Sequence, residues 1–197
     1  MVTAPGVAAG AEAAVGAAAE ADSEEAAHPG AGNGVSLKRV FRHLVATGFG
    51  ARRTFDQAAL AAIEGAIAES ERTHGGEICV AFETSLSAYE LLRGVTPRAR
   101  ALQVFASLGV WDTEANNGVL IYVLWADHDV EIVADRGYNG RVSQQEWEAV
   151  CRKMEKLFAE GRAVDAVLAG IEGVGALSAK HYPASDRDEL PNRPVFV

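Results

Sequence analysis

The chain has 197 residues and a mass of 20.7 kDa, which suits one ordinary domain with an appendage rather than two independent cores. Acidic residues outnumber basic ones by 27 to 18, and the formal charge of −9 argues against a whole-chain binder of nucleic acid phosphates. Cys79 and Cys151 are too few for a disulfide framework, and the longest apolar run, 119–126, is far shorter than a membrane span. We therefore expect a soluble chain in a reducing compartment.

Residues 1–35 differ in composition from the rest of the chain. They contain thirteen alanines, six glycines and five carboxylates, without a lysine or an arginine. Such a segment has too little apolar side chain to offset the entropy of ordering its backbone, so we predict a disordered acidic tail. The remaining 162 residues carry 18 basic and 22 acidic groups, so the folded part is nearly balanced in charge.

Residues 36–53 have the opposite charge and contain no acid. Apolar residues at helical spacing are interleaved with five basic ones, namely Lys38, Arg39, Arg42, Arg52 and Arg53. One interpretation is an amphipathic helix that rests on an anionic membrane surface or contacts a partner. The other is a helix that docks on the domain and leaves its basic face in solvent, and the shortness of the apolar stripe favours it.

Capping signals and apolar periodicity predict the elements that follow. Thr54-x-x-Gln57 has the form of a capping box at a helix start, and Thr96-Pro97 has that of an N-cap followed by proline. Residues 77–84 alternate as a strand does, with Ile78, Val80 and Phe82 on one side and Cys79 and Ala81 on the other. Residues 118–125 form an unbroken apolar run. Such a run is typical of a central strand that is buried on both faces.

The second half of the chain completes the fold. Residues 126–129 form a predicted turn into a third strand, 130–134, and a capping box at Ser143-x-x-Glu146 opens the first of two helices. The order of elements predicts an α/β fold, a three-layer α/β/α sandwich with a small mixed β-sheet. A parallel crossover unit and an antiparallel hairpin make up the sheet, and helices flank it. Residues 195–197 lie against the domain or pair with a sheet edge.

Two features could indicate nucleophilic chemistry. Asp127-His-Asp129-Val follows a strand, like the DxDxV start of haloacid-dehalogenase-type phosphatases, whose first Asp is a nucleophile. That chemistry needs further motifs on later strands, and only two helices and a short tail follow, so a hairpin turn is the favoured interpretation. Cys79 and Cys151 are expected to be buried, inert thiols. No GxSxG elbow, phosphate loop or zincin helix occurs, and catalytic residues stay unassigned.

The loop before the central strand gathers polar side chains. Asp112, Glu114, Asn116 and Asn117 supply two carboxylates and two amides, and the antiparallel hairpin brings Asp135 beside the Asn pair. Hard cations prefer such oxygens, so these five residues form a candidate site for Ca²⁺ or Mg²⁺, although calcium usually takes roughly six to eight oxygens. The alternative is structural, with the loop side chains capping local turns and the Asn-Gly step permitting a positive φ.

The element order and the stretch LGVWDTEANNGVLIYVLWADHDVEIVADRGYNG, residues 108–140, resemble the TPM domain family. Its namesakes are a thylakoid lumen protein, a photosystem repair factor and a modulator of acetylcholine receptors. The similarity spans 54–182, which leaves 183–197 as an irregular C-terminal tail, and the NNGVLI run is its most specific part. The start LKRVFRHL, VEIVADRG and the ending ELPNRPVFV are similar to a short, soluble branch of this family in proteobacteria.

The resemblance implies an α/β/α sandwich, divalent-cation binding in some members and a weak acid phosphatase activity in the plant member. The family's acidic loop falls on Asp112, and its Asn pair on Asn116 and Asn117. This chain departs from many members at three positions where carboxylates are expected, namely Asn139, Arg141 and Gln144. Because Arg141 would repel a cation, the departures bear on both metal loading and any phosphatase activity that depends on it.

We therefore expect a TPM-type accessory or interaction module that is non-catalytic or at most marginally catalytic. Its expected partner is a membrane-associated protein, with peripheral membrane contact through 37–53 and no nucleic acid. A cytoplasmic location is expected because the signal peptide and membrane helix of many relatives are missing. The alternative is a weak divalent-metal-dependent acid phosphatase that acts on phosphomonoesters. In it, a cation held by Asp112, Asn116, Asn117 and Asp135 polarises a phosphoryl oxygen and activates water.

Overall fold

The computed structural model describes residues 37–46, 48–184 and 189–197, which lie within one compact unit. The predicted acidic tail, 1–35, lies outside the described residues. The elements in chain order are α1 (Leu37–Val45), α2 (Gly48–Thr54), α3 (Gln57–Glu71), β1 (Glu77–Glu83), α4 (Ala88–Leu92), α5 (Pro97–Ser107), β2 (Gly118–Leu124), β3 (Asp129–Ala134), α6 (Gln144–Ala159), α7 (Ala163–Ala179) and β4 (Val195–Phe196). Among these helices, none combines the length and the apolar character that a bilayer crossing requires.

The strands of the described residues form one mixed sheet in the order β3-β2-β1-β4. β1 and β2 run parallel, with Glu77 opposite Gly118 at one end of the pairing. β2 and β3 form an antiparallel hairpin, in which Val119 lies opposite Ala134. The predicted crossover unit and hairpin are therefore confirmed. β4 adds a short parallel strand beside β1, so the C-terminal residues do pair with a sheet edge.

Helices cover both faces of this sheet. Along β1, Ile78, Val80 and Phe82 face a core that α3, α6 and α7 complete, whereas Cys79 and Ala81 face a second core closed by α4 and α5. All seven residues of β2 are buried, as expected for a strand between two layers. The predicted three-layer α/β/α sandwich is confirmed.

Two of the three predicted helix starts are correct. Thr96 and Ser143 cap α5 and α6, and Glu146 completes the predicted capping box. The start of α3 at Thr54 is wrong. Thr54 is the last residue of α2, and Asp56 caps α3 by accepting a 2.9 Å hydrogen bond from the Ala59 N–H. Asp56, two residues after Thr54, therefore provides the N-cap of α3.

The sequence analysis missed α4. Its start is a complete capping box, in which Ser87 and Glu90 bond to each other's backbone N–H groups. Five residues are too few for a periodic apolar stripe, so the pattern that identified the longer helices is absent here. α4 nevertheless matters for the molecular surface, because it packs against α1.

Candidate functional site

The predicted polar loop leads into β2 and meets the residues that follow β3, at the end of the sheet where Val119 lies opposite Ala134. We call this end the β2–β3 rim. The Asp135 N–H donates a 2.9 Å hydrogen bond to the carbonyl oxygen of Gly118, and the Gly137 N–H donates a 3.0 Å hydrogen bond to that of Asn116. Gly118 and Gly137 both sit where a Cβ atom would collide with a backbone carbonyl oxygen. The structure therefore brings the Asn pair beside Asp135, as the hairpin predicted.

Three oxygen atoms at this rim are buried without a hydrogen-bond partner, namely Asn117 Oδ1, Asp135 Oδ2 and the Tyr182 hydroxyl. The first two belong to predicted ligands. The remaining polar atoms of the two side chains are engaged. Asn117 Nδ2 donates to the Gly75 carbonyl oxygen, and Asp135 Oδ1 accepts a 2.7 Å bond from the Arg136 N–H. A buried acceptor without a donor is costly, so a water molecule or a cation would stabilise this rim.

The other three predicted ligands are differently placed. Asp112 and Glu114 lie on the exposed part of the loop, and the Glu114 N–H bonds to Glu189. Asn116 has a φ of 53°, and its Oδ1 accepts a 2.6 Å bond from the Arg136 guanidinium. In the described ranges, no group of three or more His, Cys, Asp or Glu side chains is arranged to hold a metal ion.

Asn139, Arg141 and Gln144 occupy the three positions where the resemblance led us to expect carboxylates. The Arg141 guanidinium lies over the ring of Tyr182, 5.4 Å from its centroid. Burial raises the pKa of the Tyr182 hydroxyl, while Arg141 lowers it and Asp135 raises it, so all three groups share one electrostatic environment. Gln144 lies in the first turn of α6 and bonds to Glu148 rather than to the rim. A cation at Asp135 would therefore experience the positive charge of Arg141.

The Asp127 carboxylate, in the turn between β2 and β3, anchors α1. Arg39 Nε donates to Asp127 Oδ2 at 2.9 Å, and Arg42 donates to Oδ1. The Asp127 side chain is only 6% exposed. Because its oxygens are occupied by two guanidinium groups, Asp127 is not placed as a free nucleophile, and the interpretation of the DxDxV match as a hairpin turn is confirmed.

His43 completes this anchor from the buried side of α1. Its Nδ1 accepts a 2.9 Å hydrogen bond from the Leu86 N–H, so the neutral ring carries its proton on Nε2. Nε2 lies 3.0 Å from Asp127 Oδ1, in electrostatic contact but without the angle of a well-formed hydrogen bond. The side of α1 that carries Arg39 and His43 therefore contacts the rest of the domain.

The apolar side of α1 faces solvent. Its exposed fractions are 83% for Leu37, 67% for Phe41, 68% for Leu44 and 53% for Val45. The predicted docking of this helix on the domain is present, and Val40 packs against the second core. The expectation that the basic face is only solvated is wrong for Arg39 and Arg42, which pair with Asp127, whereas Lys38 is exposed. The rest of the apolar stripe lies outside.

Comparisons with known proteins were consistent with this architecture. The family model described as TPM domain matches residues 51–177, well over half of the chain. The chain belongs to the TPM domain family. Among solved structures, it is 32% identical to the NMR structure of the BA42 protein from the psychrophilic bacterium Bizionia argentinensis, with a TM-score of 0.61 over 72% of this chain and 94% of that one.

A second solved structure is more distant in sequence. It is the N-terminal domain of a protein from P. gingivalis, 18% identical, with a TM-score of 0.51 over 64% of this chain and 80% of that one. This likeness concerns the fold alone. Among curated proteins, none matches the chain.

The described part of this TPM domain contains one Ser–His contact, which sequence analysis did not identify. Ser70 Oγ lies 2.9 Å from His74 Nε2, and His74 Nδ1 accepts a 3.0 Å bond from the Gly76 N–H. The Nδ1 bond places the ring proton on Nε2, so the ring donates to Ser70 and cannot accept its proton as a general base would. Burial lowers the pKa of His74, which favours this neutral form.

The two cysteines are also unsuited to nucleophilic chemistry. Burial raises the pKa of Cys79 to about 11 and that of Cys151 to about 12, and nearby carboxylates add to both shifts. Neither thiol is ionised near neutral pH, and the thiolate is the reactive form. Cys79 is buried as predicted, whereas Cys151 is only partly buried. The raised pKa values agree with the expectation that both thiols are inert.

Proposed function

We propose that this TPM domain is a non-catalytic accessory module that acts on a membrane-associated partner, and that the apolar face of α1 is its contact surface. The observation that carries the proposal is the outward direction of Phe41 and Leu44 on a helix held from behind by Asp127. Large apolar side chains that are exposed together mark interaction surfaces more often than isolated ones do. Docking by ion pairs keeps this face available in the folded domain.

The chemistry of the candidate nucleophiles supports a non-catalytic role. Asp127 is occupied by arginines, and the Ser70 hydroxyl faces a ring nitrogen that already carries a proton. Nucleophilic catalysis needs a nucleophile beside a base that can accept its proton. Neither group meets this requirement in its present surroundings.

The experiment is capture from detergent-solubilised membranes on the immobilised full chain. We expect a specific membrane protein to be retained by the wild type and lost when Phe41→Ser and Leu44→Ser are combined. Leu102→Ser is the matched control, because Leu102 is an exposed apolar residue on α5. Recovery of no specific partner, together with a monomer in light scattering, would count against the proposal.

A second candidate function is divalent-cation binding at the β2–β3 rim, and the unpartnered oxygens of Asn117 and Asp135 favour it. If Ca²⁺ or Mg²⁺ bound, Asp135 and Asn117 would hold it, with Asp112, Glu114 and Asn116 as the remaining predicted ligands. A bound cation could polarise a phosphoryl oxygen, which is the chemistry of the alternative acid phosphatase. Arg136 and Arg141 oppose such loading because both place positive charge near the rim.

Calorimetric titration with Ca²⁺ and with Mg²⁺ tests the second candidate. Binding that is lost in Asp135→Asn and retained in Asp165→Asn, an exposed acid on α7, would support the rim site. Heat of dilution alone would dismiss it. Turnover of a phosphomonoester that is sensitive to chelators and abolished in Asp112→Asn would support the phosphatase, while an unchanged rate in that variant would exclude this site as its source.

A further inference from the structure

Exposed apolar side chains are concentrated on one side of the described residues. The described residues include nine large hydrophobic side chains that are exposed, and six of the nine lie on α1 and α4. These six are Leu37, Phe41, Leu44, Val45, Tyr89 and Leu92. We call them the α1–α4 patch. Such a concentration is unusual for the surface of a soluble monomer and points to a contact surface.

The two helices of the patch lie side by side. His43 accepts the Leu86 N–H just before α4, and Arg39 donates a 3.3 Å bond to the Val95 carbonyl oxygen just after it. α1 therefore runs alongside α4 in the opposite direction. Leu91 is the buried residue of α4, whereas Tyr89 and Leu92, three positions apart on this antiparallel neighbour of α1, are exposed.

Three basic residues lie on the helices of the α1–α4 patch or directly after them. Lys38 is exposed on α1, Arg42 remains about half exposed while it bonds to Asp127, and Arg93 lies over the exposed ring of Tyr89, 5.0 Å from its centroid. The 37–53 segment contains no acid that would offset this charge. Among the carboxylates nearest the patch, Asp127 is neutralised by α1, and Glu90 is held by Ser87 and Arg100.

We propose that the α1–α4 patch inserts into the interfacial layer of an anionic lipid bilayer. An interfacial helix places its apolar residues at the boundary of headgroups and acyl chains, and its basic residues reach the lipid phosphates. Phe41 and Leu44 would supply the apolar contact, while Lys38 and Arg93, which do not pair with Asp127, would face the headgroups.

This proposal rests on the proposed function, because both use the exposed face of α1, but it names lipid as the direct ligand. It also predicts salt dependence. The whole chain carries a formal charge of −9, so attraction to an anionic surface has to come from the local cations of the patch. Their contribution is screened beyond about 10 Å at roughly 0.1 M salt.

The test is flotation of the full chain with vesicles of phosphatidylcholine alone or mixed in equal parts with phosphatidylserine. We expect binding to the mixed vesicles at low salt, weaker binding to phosphatidylcholine, and a decrease as salt is added. Combined Phe41→Ser and Leu44→Ser should weaken partitioning about tenfold or more, because two apolar side chains no longer leave water. Lys38→Glu should weaken it as well, since Lys38 lies within the patch.

Matched controls separate the patch from general surface effects. Leu102→Ser and Lys156→Glu change an exposed apolar and an exposed basic residue on α5 and α6, and both variants should bind as the wild type does. No wild-type binding to the mixed vesicles, or equal binding by the Phe41/Leu44 variant, would overturn the lipid proposal. If that variant still lost a protein captured from solubilised membranes, the proposed function would stand without lipid. Failure in both experiments would reject both proposals.

Discussion

Arg39 Nε donates a 2.9 Å hydrogen bond to Asp127 Oδ2, which joins α1 to a turn 88 positions further along the chain. Arg42 and His43 contact the other oxygen of the same carboxylate. The nearly buried Asp127 therefore contacts three residues of α1, beside the His43–Leu86 hydrogen bond and the packing of Val40. Since the proposed contact surface exists only while α1 is held in this way, Asp127 positions the functional face without being part of it.

Replacement of Asp127 by Asn should loosen α1. Asn keeps the size of the side chain but removes the charge that two guanidinium groups contact, and a hydrogen bond to a charged group contributes about 2 kcal/mol. We expect the backbone amides of α1 to exchange with solvent roughly thirtyfold faster in Asp127→Asn, which corresponds to about 2 kcal/mol. Hydrogen exchange followed by mass spectrometry would measure this change.

Asp165→Asn is the control for that experiment. Asp165 also accepts a 2.8 Å hydrogen bond from an arginine, Arg162, but both side chains are about half exposed. Such a surface pair contributes at most about 1 kcal/mol, so exchange in α1 should not change. Equal protection of α1 in the wild type and in Asp127→Asn would show that the ion pairs do not hold the helix.

The contribution of Asp127 should depend on pH in one direction. Burial alone would raise the pKa of its carboxyl, but the contacts with Arg39 and His43 outweigh burial and leave this pKa below its ordinary value. The stabilisation is therefore fully present above the unfolded pKa of about 3.9 and is lost as the pH falls through the lower pKa of the folded state.

Urea unfolding of the wild type and Asp127→Asn at a series of pH values measures this dependence. We expect the difference in the free energy of unfolding to be constant from about pH 8 to about pH 5 and to shrink below about pH 4. A difference that already shrinks between about pH 7 and pH 6 would contradict the assignment to the carboxyl of Asp127.

The thiols should be unreactive in the folded protein. With pKa values of about 11 for Cys79 and about 12 for Cys151, only a minute fraction of either is thiolate near neutral pH. We expect an aromatic disulfide reagent to label neither cysteine quickly in buffer and both quickly in denaturant. Rapid labelling of one thiol in the native state would show that its surroundings are more open than the packing of β1 and α6 indicates.

Gly118 should tolerate no side chain. A Cβ atom there would collide with the carbonyl oxygen of Val110, which belongs to the backbone and cannot rotate away. We expect Gly118→Ala to lower the free energy of unfolding by about 1–3 kcal/mol, as overpacking does. Gly65→Ala is the control, because no atom lies within 4 Å of the added Cβ in α3, and alanine there should stabilise the helix by about 1 kcal/mol. Similar stabilities for the two variants would contradict the close approach.

Much of the sheet could be predicted from the sequence because its signals are local. The alternation in 77–84 and the apolar run in 118–125 are local strand patterns, and both segments form strands that are buried on both faces. The closeness of Asn117 and Asp135 could be predicted from the antiparallel hairpin alone. The side-chain partners did not follow, because the bond between Arg136 and Asn116 depends on the conformation of a short turn rather than on register.

The orientation of α1 could not be predicted from its pattern. Helical spacing shows that Leu37, Phe41 and Leu44 share one side, but it does not show which side faces the domain. The ion pairs of Arg39 and Arg42 with Asp127 place the basic side against the domain. The position of Asp127 in a hairpin turn did not indicate a contact with α1. The sequence does contain one signal of it, since 37–53 has five basic residues and no acid of its own to pair with them.

The most direct test of this account is the solvent exposure of individual side chains of α1 by NMR, with a soluble paramagnetic probe that broadens signals near the surface. The account predicts strong broadening of the Phe41 ring and the Leu44 methyl groups, comparable to that of exposed Trp111, and little broadening of the His43 ring. Protection of Phe41 and Leu44 together with strong broadening of His43 would contradict it, because the helix would then be docked by its apolar face.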